Sequence, residues 1–361
     1  MSARPQDGGA AAAVTATPTA KRGRILSGMR PTGQMHLGNY VGALENWIAL
    51  QKDFDSFFMV ADWHALTTAA DRVDELQPNT YEMVLDWLAA GLDPAVSPIF
   101  VQSHVKEHAE LYLLFSMLVT KARVERNPTL KEQVRDLGME ESTISLGHLG
   151  YPVLQAADIL LYKANVVPVG EDQVPHVELT REIARRFNHL YTAPEKPVFP
   201  EPEPRLTKFA RLRGLDGTRM SKSVGNTIWI ADAPEDIAKK VREAYTDPKK
   251  IRLHDPGRPE ADPSDGHPGC VVWEYHRKFN PGEADHIAEL CRAGQLGCVA
   301  DKKHLSEVLA NYLAPIRERR AELARDPDRV WDVIADGDRR ARAIAEKTMA
   351  EARAAMRLAR R

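Results

Sequence analysis

Between Arg24 and Ile230, short apolar runs alternate with longer stretches of helical period. Arg24–Gly28, Ser56–Ala61, Pro98–Gln102 and Val166–Val169 each read as a buried strand. Helical patterns fill the gaps: one following a Gly/Pro loop and running to about Leu50, then Asp74–Ala90, His108–Lys121, Tyr151–Tyr162 and Asp172–Asn188. Asp172 is placed to cap the last of these. Strands alternating with helices predict βαβ units and a parallel sheet. Thr192–Pro204 carries five prolines and reads as a linker or surface loop, and Thr227–Ile230 reads as a last sheet-like segment. From Asp232 on the pattern is helical, broken by a Pro/Gly loop between Asp255 and Gly269. The expected architecture is α/β: a Rossmann-like parallel-sheet catalytic domain over 24–231 and an all-helical domain over 232–361. Residues 1–23 are rich in Ala, Thr and Gly and read as a disordered extension.

At ~100–200 residues per domain, a 361-residue chain fits two domains. Lys and Arg total 49 against 51 Asp and Glu, which excludes a diffuse polycationic grip on nucleic acid but not a local basic face. The longest apolar run, Leu111–Val119, is interrupted by Ser116 and falls far short of the ~20 residues of a membrane span. Three cysteines exclude a disulfide framework and fit a reducing compartment. The extension lacks the apolar core of a secretory signal, and Asp7 argues against a transit peptide.

Two segments carry candidate chemistry. Ser27-Gly28-Met29-Arg30-Pro31-Thr32-Gly33-Gln34-Met35-His36-Leu37-Gly38-Asn39 follows the first strand and opens a helix, where a parallel sheet offers backbone N–H groups to a phosphate. His36 and Asn39 stand three apart, the spacing of one helix face, and Gly38 leaves that face open to a ligand. The alternative is an ordinary strand–turn–helix with a solvent-facing histidine. Gly214 to Asn226 (GLDGTRMSKSVGN) places Arg219 and Lys222 among small residues, in a loop able to close over an anion. The alternative there is a solvated basic loop.

As a pair the segments are more specific. H-L-G-N resembles the HIGH signature and R-M-S-K-S resembles KMSKS, in this order and about 180 residues apart. That is the mark of class I aminoacyl-tRNA synthetases. From Arg24 on, the chain resembles the bacterial tryptophanyl-tRNA synthetases, most specifically over Tyr151–Tyr162 and Val167–Gln173. The resemblance implies a tryptophan–tRNA ligase that uses ATP with Mg²⁺ to form tryptophanyl-adenylate, releases pyrophosphate and charges tRNA(Trp). It further implies a homodimer in the cytoplasm, a helical C-terminal domain that meets the anticodon, and no role for DNA or a membrane.

Residue by residue, Asp158 stands where the family places the acceptor for the indole N–H. Tyr151, Gln155 and Asp158 lie four and seven apart on one helix face. Leu26, Gly28, His64, Val167 and Val169 line the rest of the tryptophan pocket on this reading. The position of Gln155 often carries methionine in the family. ATP falls to Arg30, Pro31, Thr32, Gly38 and Asn39, then Gly170, Glu171 and Asp172, and finally Leu212, Arg219, Met220, Ser221, Lys222 and Ser223. His36, Asn39, Arg219 and Lys222 act at the phosphates, and Lys131 resembles a triphosphate-binding lysine. Two departures stand out: Asn39 replaces the final histidine of HIGH, and Arg219 replaces the first lysine of KMSKS, a planar fork for a point cation. The rival readings are a tyrosyl-tRNA synthetase and a catalytically silent paralogue that binds nucleotide or RNA.

Cys270, Cys291, Cys298 and Asp301 are spaced like the four cysteines that hold an iron–sulfur cluster in some of these synthetases. With aspartate in the fourth place, a relic site without metal is the reading taken, and a labile cluster the alternative. Asp338–Arg361 carries eight Lys/Arg against three Asp/Glu, which suits either a helix tracking an RNA backbone or a solvated terminal helix.

Overall fold

The computed structural model describes residues 21–136, 138, 140–206, 212–222 and 224–358. Strands β1 (Arg24–Met29), β2 (Asp55–Val60), β3 (Ile99–Val101), β4 (Val166–Val169) and β5 (Glu203–Leu206) form one sheet in the order β3-β2-β1-β4-β5. Every pairing in it is parallel. Between β1 and β2 run α1 (Leu37–Asn39), a π-helical turn over Tyr40–Leu44 and α2 (Glu45–Asp53); α3 (Asp62–Leu66) and α4 (Leu76–Ala90) lead to β3. The long crossover to β4 carries α5 (Glu107–Ser116), α6 (Lys121–Glu125), α7 (Pro128–Asp136) and α8 (Leu146–Leu161), and α9 (Val174–Tyr191) precedes β5. After Asp232 come α10 (Pro234–Arg242), α11 (Val271–Phe279), α12 (Ala284–Arg292), α13 (Cys298–Leu323) and α14 (Pro327–Ala355). The parallel sheet with a helical C-terminal part is the expected Rossmann-like class.

Successive side chains of a strand point to opposite faces, and Phe57 and Phe58 of β2 divide the core accordingly. Phe58 stacks on Trp47, itself edge-on to Trp87, on one face; Phe57 stacks on Tyr162 on the other. The helical part joins both faces. Leu305, Leu309 and Leu313 of α13, with Val330 and Ile334 of α14, enter the Phe58 cluster, while Ala341, Ala345 and Met349 of α14 enter the Phe57 cluster. Helix α14 thus crosses from one face to the other at the β3 edge. There the Asp338 carboxylate accepts the Val101 N–H (2.9 Å) and the His104 imidazole (2.6 Å). A Cβ on Gly337 would lie 1.9 Å from the Ile99 carbonyl oxygen, so only glycine permits this approach. Three arginines of α14 are turned to the same docking: Arg340 donates to the Pro94 carbonyl, Arg342 to that of His104, and Arg353 pairs with Glu110. They fasten the terminal helix to the sheet half rather than forming a free basic face.

Several expectations are revised. The proline-rich segment ends in a fifth strand, with Pro204 paired in register with Val167. A proline is tolerated in an edge strand because its missing N–H costs no inner ladder bond. Thr227–Ile230 is not a strand. It is an extended stretch bridged antiparallel to the loop after β1, where Leu37 N–H meets the Ile228 carbonyl (2.8 Å) and Ile230 N–H that of Met35 (3.0 Å). Helix α9 starts at Val174 after a 3₁₀ turn over Glu171–Gln173 and has no side-chain cap, so Asp172 does not cap it. Helix α8 reaches back to Leu146, where the Ser145 hydroxyl accepts the His148 N–H (3.0 Å). Of the expected N-terminal extension, residues 1–20 lie outside the described residues; Lys21 donates to the Gln51 carbonyl (2.7 Å).

Candidate functional site

In a doubly wound sheet, ligands bind where the strand order reverses, beyond the carboxyl ends of the strands. Here that point lies between β1 and β4. A cavity of about 370 Å³ opens there, lined by Leu26 and Gly28 from β1, Val167 and Val169 from β4, His64 from α3, and Tyr151, Gln155 and Asp158 from α8. All eight residues expected to form the amino-acid pocket line this one cavity, with Gly170 at its rim.

Asp158 is buried at its floor. Its carboxylate accepts His64 Nε2–H (2.7 Å), His108 Nδ1–H (2.6 Å) and the Gln102 amide (2.9 and 3.0 Å). With Nδ1 donating, His108 Nε2 receives the Tyr162 hydroxyl (2.9 Å). Burial pushes the Asp158 carboxyl up, but the two imidazole donors outweigh it and hold it at about 2. Each carboxylate oxygen thus has two contacts, one from an imidazole and one from the Gln102 amide, which the two oxygens share. Gln102, His108 and Tyr162 are not legible from the sequence; they come from the turn after β3, from α5 and from the end of α8, and converge only in the fold.

A second relay orients Tyr151. Asn127 Oδ1 accepts the Thr129 N–H (3.1 Å), which fixes the amide so that its Nδ2 donates to His176 Nδ1 (3.1 Å). Burial lowers the His176 imidazole to about 4, so it is neutral and carries its proton on Nε2. That N–H donates to the Tyr151 oxygen (3.0 Å), leaving the phenol hydrogen as a donor.

Beside this cavity lies a second, of about 550 Å³, lined by Arg30, Pro31, Thr32, Arg72, Arg219 and Lys222 among others. Arg30 and Gln133 line both, so the two spaces meet at those side chains. Gln133, on α7, was also missed. Lys222 crosses from its loop to the first segment, donating to the Thr32 and Gln34 carbonyls (2.5 and 2.6 Å), and its ammonium lies 5.1 Å from the centroid of the Trp229 ring. Asn226 knits the Lys222 loop together, accepting Ser221 N–H (2.9 Å) and donating to the Asp216 carboxylate (2.8 Å).

His36 precedes α1 instead of sharing its face with Asn39. The pair forms a capping box: His36 Nδ1 accepts Asn39 N–H (3.2 Å) and Asn39 Oδ1 accepts His36 N–H (3.4 Å). Burial and the Lys222 cation lower His36 to about 4. Its neutral ring therefore bears a proton on Nε2. What approaches Gly38 is Met220, whose sulfur accepts the Gly38 N–H (3.2 Å). Leu212 is buried in the core. Lys131 is exposed on α7 and lines neither cavity, as do Glu171 and Asp172 of the 3₁₀ turn after β4. Ser223 lies outside the described residues.

Cys270, Cys291, Cys298 and Asp301 border one cavity of about 20 Å³ in the helical part. They do not assemble a cluster cage: among the described residues no group of three or more His, Cys, Asp or Glu is arranged to hold a metal ion, and Asp301 Oδ1 faces His276 Nε2 at 3.2 Å.

Residues 19–314 match the family model of the class I tRNA synthetases for tryptophan and tyrosine. Whole-length relatives narrow that pair. A tryptophan–tRNA ligase of Thermotoga maritima is 50% identical over 93% of this chain and 99% of its own length. One from Aquifex aeolicus is 44% identical, covering 93% and 100%. Among solved structures, the tryptophanyl-tRNA synthetase of Campylobacter jejuni, complexed with ADP and tryptophan, superimposes with a TM-score of 0.79 at 31% identity, covering 92% and 99%. The chain belongs to the class I aminoacyl-tRNA synthetases, among the tryptophan–tRNA ligases.

Proposed function

We propose that the cavity between β1 and β4 seats L-tryptophan with its indole N–H turned to the Asp158 carboxylate, where it shares an oxygen with the bifurcated Gln102 amide or displaces it, while the adjoining cationic cavity receives the ATP phosphates. The observation that carries this assignment is the meeting of the two cavities at Arg30 and Gln133. The chain is an ATP-dependent tryptophan–tRNA ligase, and the junction is where its first step belongs. The tryptophan carboxylate attacks the α-phosphorus of ATP, the bond to the β-phosphate oxygen breaks, and pyrophosphate leaves with the electron pair. The 3′-terminal ribose hydroxyl of the tRNA then attacks the acyl carbon of tryptophanyl-adenylate and AMP departs. Neither step requires a protein nucleophile; alignment and charge stabilisation carry both.

In this scheme His36 Nε2–H donates to a phosphate oxygen, and Arg219 and Lys222 counter the charge that builds on the leaving pyrophosphate. The phosphate cavity has four cations, Arg30, Arg72, Arg219 and Lys222, against a single carboxylate, Glu75. That lining suits a phosphate chain and not a bare divalent ion, so Mg²⁺ is assigned to the nucleotide and to no side chain. Glu171 and Asp172 are assigned to the ribose, whose hydroxyls a carboxylate accepts. An intact pair of phosphate loops favours an active enzyme over a silent paralogue. Three unpaired cysteines suit the reducing cytoplasm, where the reaction is placed.

Residues 24–231 are assigned to adenylation and 232–361 to tRNA contact. A cavity of about 790 Å³ between α10 and the start of α13 supports the second assignment: Arg242, Lys250, Arg252, Lys302 and Lys303 line it, with no carboxylate. A homodimer is proposed through α5, where Leu113 and Met117, one turn apart, are 56% and 68% exposed.

Pyrophosphate exchange into ATP with tryptophan and tyrosine side by side tests the reading: exchange with tryptophan alone is expected, and exchange with tyrosine alone overturns it. Lys222→Ala lowers the exchange kcat by about a hundredfold with little change in the KM for tryptophan. Removing one donor from a buried carboxylate costs about 1–3 kcal/mol, so His108→Ala raises the tryptophan KM about tenfold to a hundredfold. Arg252→Glu with Lys303→Glu raises the KM for tRNA about tenfold or more and leaves exchange at the wild-type rate. Met117→Glu yields a monomer by sedimentation velocity; a persistent dimer places the interface elsewhere.

A further inference from the structure

The loop between β1 and α1 is held from behind by groups outside both phosphate-binding segments. Asp86 of α4 is wholly buried; its Oδ2 accepts the Met35 N–H (2.6 Å), one residue before His36. Its other oxygen accepts Arg320 Nε–H (2.6 Å) from α13. The same guanidinium donates to Glu82, one turn earlier on α4, and Glu82 accepts the Gln34 side-chain amide (3.1 Å). One arginine therefore anchors two carboxylates that grip two consecutive residues of the loop. Those residues are also the landing point of the second segment, since Lys222 donates to the Gln34 carbonyl (2.6 Å).

We infer that Arg320 is a positioning residue for adenylate formation, acting through Asp86 and Glu82 to hold the Gln34–His36 backbone where both phosphate-binding segments meet. This rests on the tryptophan–tRNA ligase reading above. The physical basis is the buried carboxylate. Burial pushes Asp86 toward its neutral form, and Arg320 is the first of the groups that draw it back to the charged state in which it accepts the Met35 N–H. Without the guanidinium the carboxyl is left buried beside Glu82 with no cation bonded to it. The Met35 N–H then loses a charged acceptor, and with it the fixed entry into the His36 capping box. Asp158, the assigned indole acceptor, takes its donors from His64, Gln102 and His108 and shares no bonding partner with this chain of contacts.

The test is pyrophosphate exchange on the full chain with Arg320→Gln, Arg320→Lys and, as control, Arg319→Gln. Arg319 is the next residue of α13 and donates to the Ala89 carbonyl (2.6 Å), so it tethers the same helices without touching Asp86. Arg320→Gln is expected to lower kcat about tenfold or more with the tryptophan KM within about twofold. Arg320→Lys restores part of the rate, charge without the fork, and Arg319→Gln leaves kcat unchanged. Combined with Lys222→Ala, Arg320→Gln adds less than its single effect, because both act on one backbone segment. Should Arg320→Gln fail to fold, Glu82→Gln takes its place; it loosens the Gln34 grip and the Arg320–Glu82 bond while leaving Arg320 on Asp86, and a drop of about threefold or more in kcat is expected. An unchanged kcat, an equal loss in Arg319→Gln, or a loss confined to the tryptophan KM overturns the inference. A wild-type chain that exchanges with neither amino acid instead removes the reading on which it rests.

Discussion

A buried carboxylate that bonds a backbone N–H on one side and a distant side chain on the other is the device on which this molecule turns. Asp86 does this for the loop after β1 and Asp338 for the sheet edge, while Asp158, in the cavity between β1 and β4, gathers side-chain donors alone. Each draws its partners from elements far apart in the chain, and each sits where solvent screening is weak, so the geometry it enforces is narrow. A charge in such a place is destabilising unless its donors are complete. The three sites consequently require that loop, sheet and terminal helices be in place together.

On the assignment proposed above, this requirement bears on how the pocket selects its ligand. Held ionised by its donors, the Asp158 carboxylate offers a ligand acceptor oxygens alone, in an apolar surround of Leu26, Val167 and Val169. An indole presents one N–H on a large apolar ring and matches it. A phenol needs a donor and an acceptor and leaves one group unpaired, which is heavily penalised in a buried site. The neutral His176 behind Tyr151 applies the same logic to the rest of the cavity, fixing the direction of each hydrogen before a ligand arrives.

Much of the fold could be read from the residues. Continuous apolar runs marked β1 to β4, because strands covered on both faces have no polar alternation to disguise them. The fifth escaped because prolines dominate its surroundings and its exposed edge position allows them. Every expected pocket residue reached the cavity, since strand ends and one helix face are local features. The ring of donors around Asp158 was hidden for the opposite reason: His108 and Gln102 sit in unremarkable sequence, and their importance arises from the parallel crossover that folds α5 against α8. Arg320 was hidden further still, in a charged surface-like stretch of α13. The basic terminal segment hides a further role, as Arg340, Arg342 and Arg353 bond to carbonyls and a carboxylate of the sheet half.

The position of α14 also bears on how the chain matures as it is synthesised. Until residues 327–355 emerge, β3 is an open edge with unpaired N–H groups, and both apolar faces lack their covering alanines and valines. A nascent chain already long enough to build the whole sheet must therefore wait, exposed to misassembly and to chaperones, for its last long helix. Gly337 permits that docking, since a Cβ there would strike the Ile99 carbonyl oxygen. Closure of the β3 edge and of both apolar faces thus follows the synthesis of every residue that lines the two cavities.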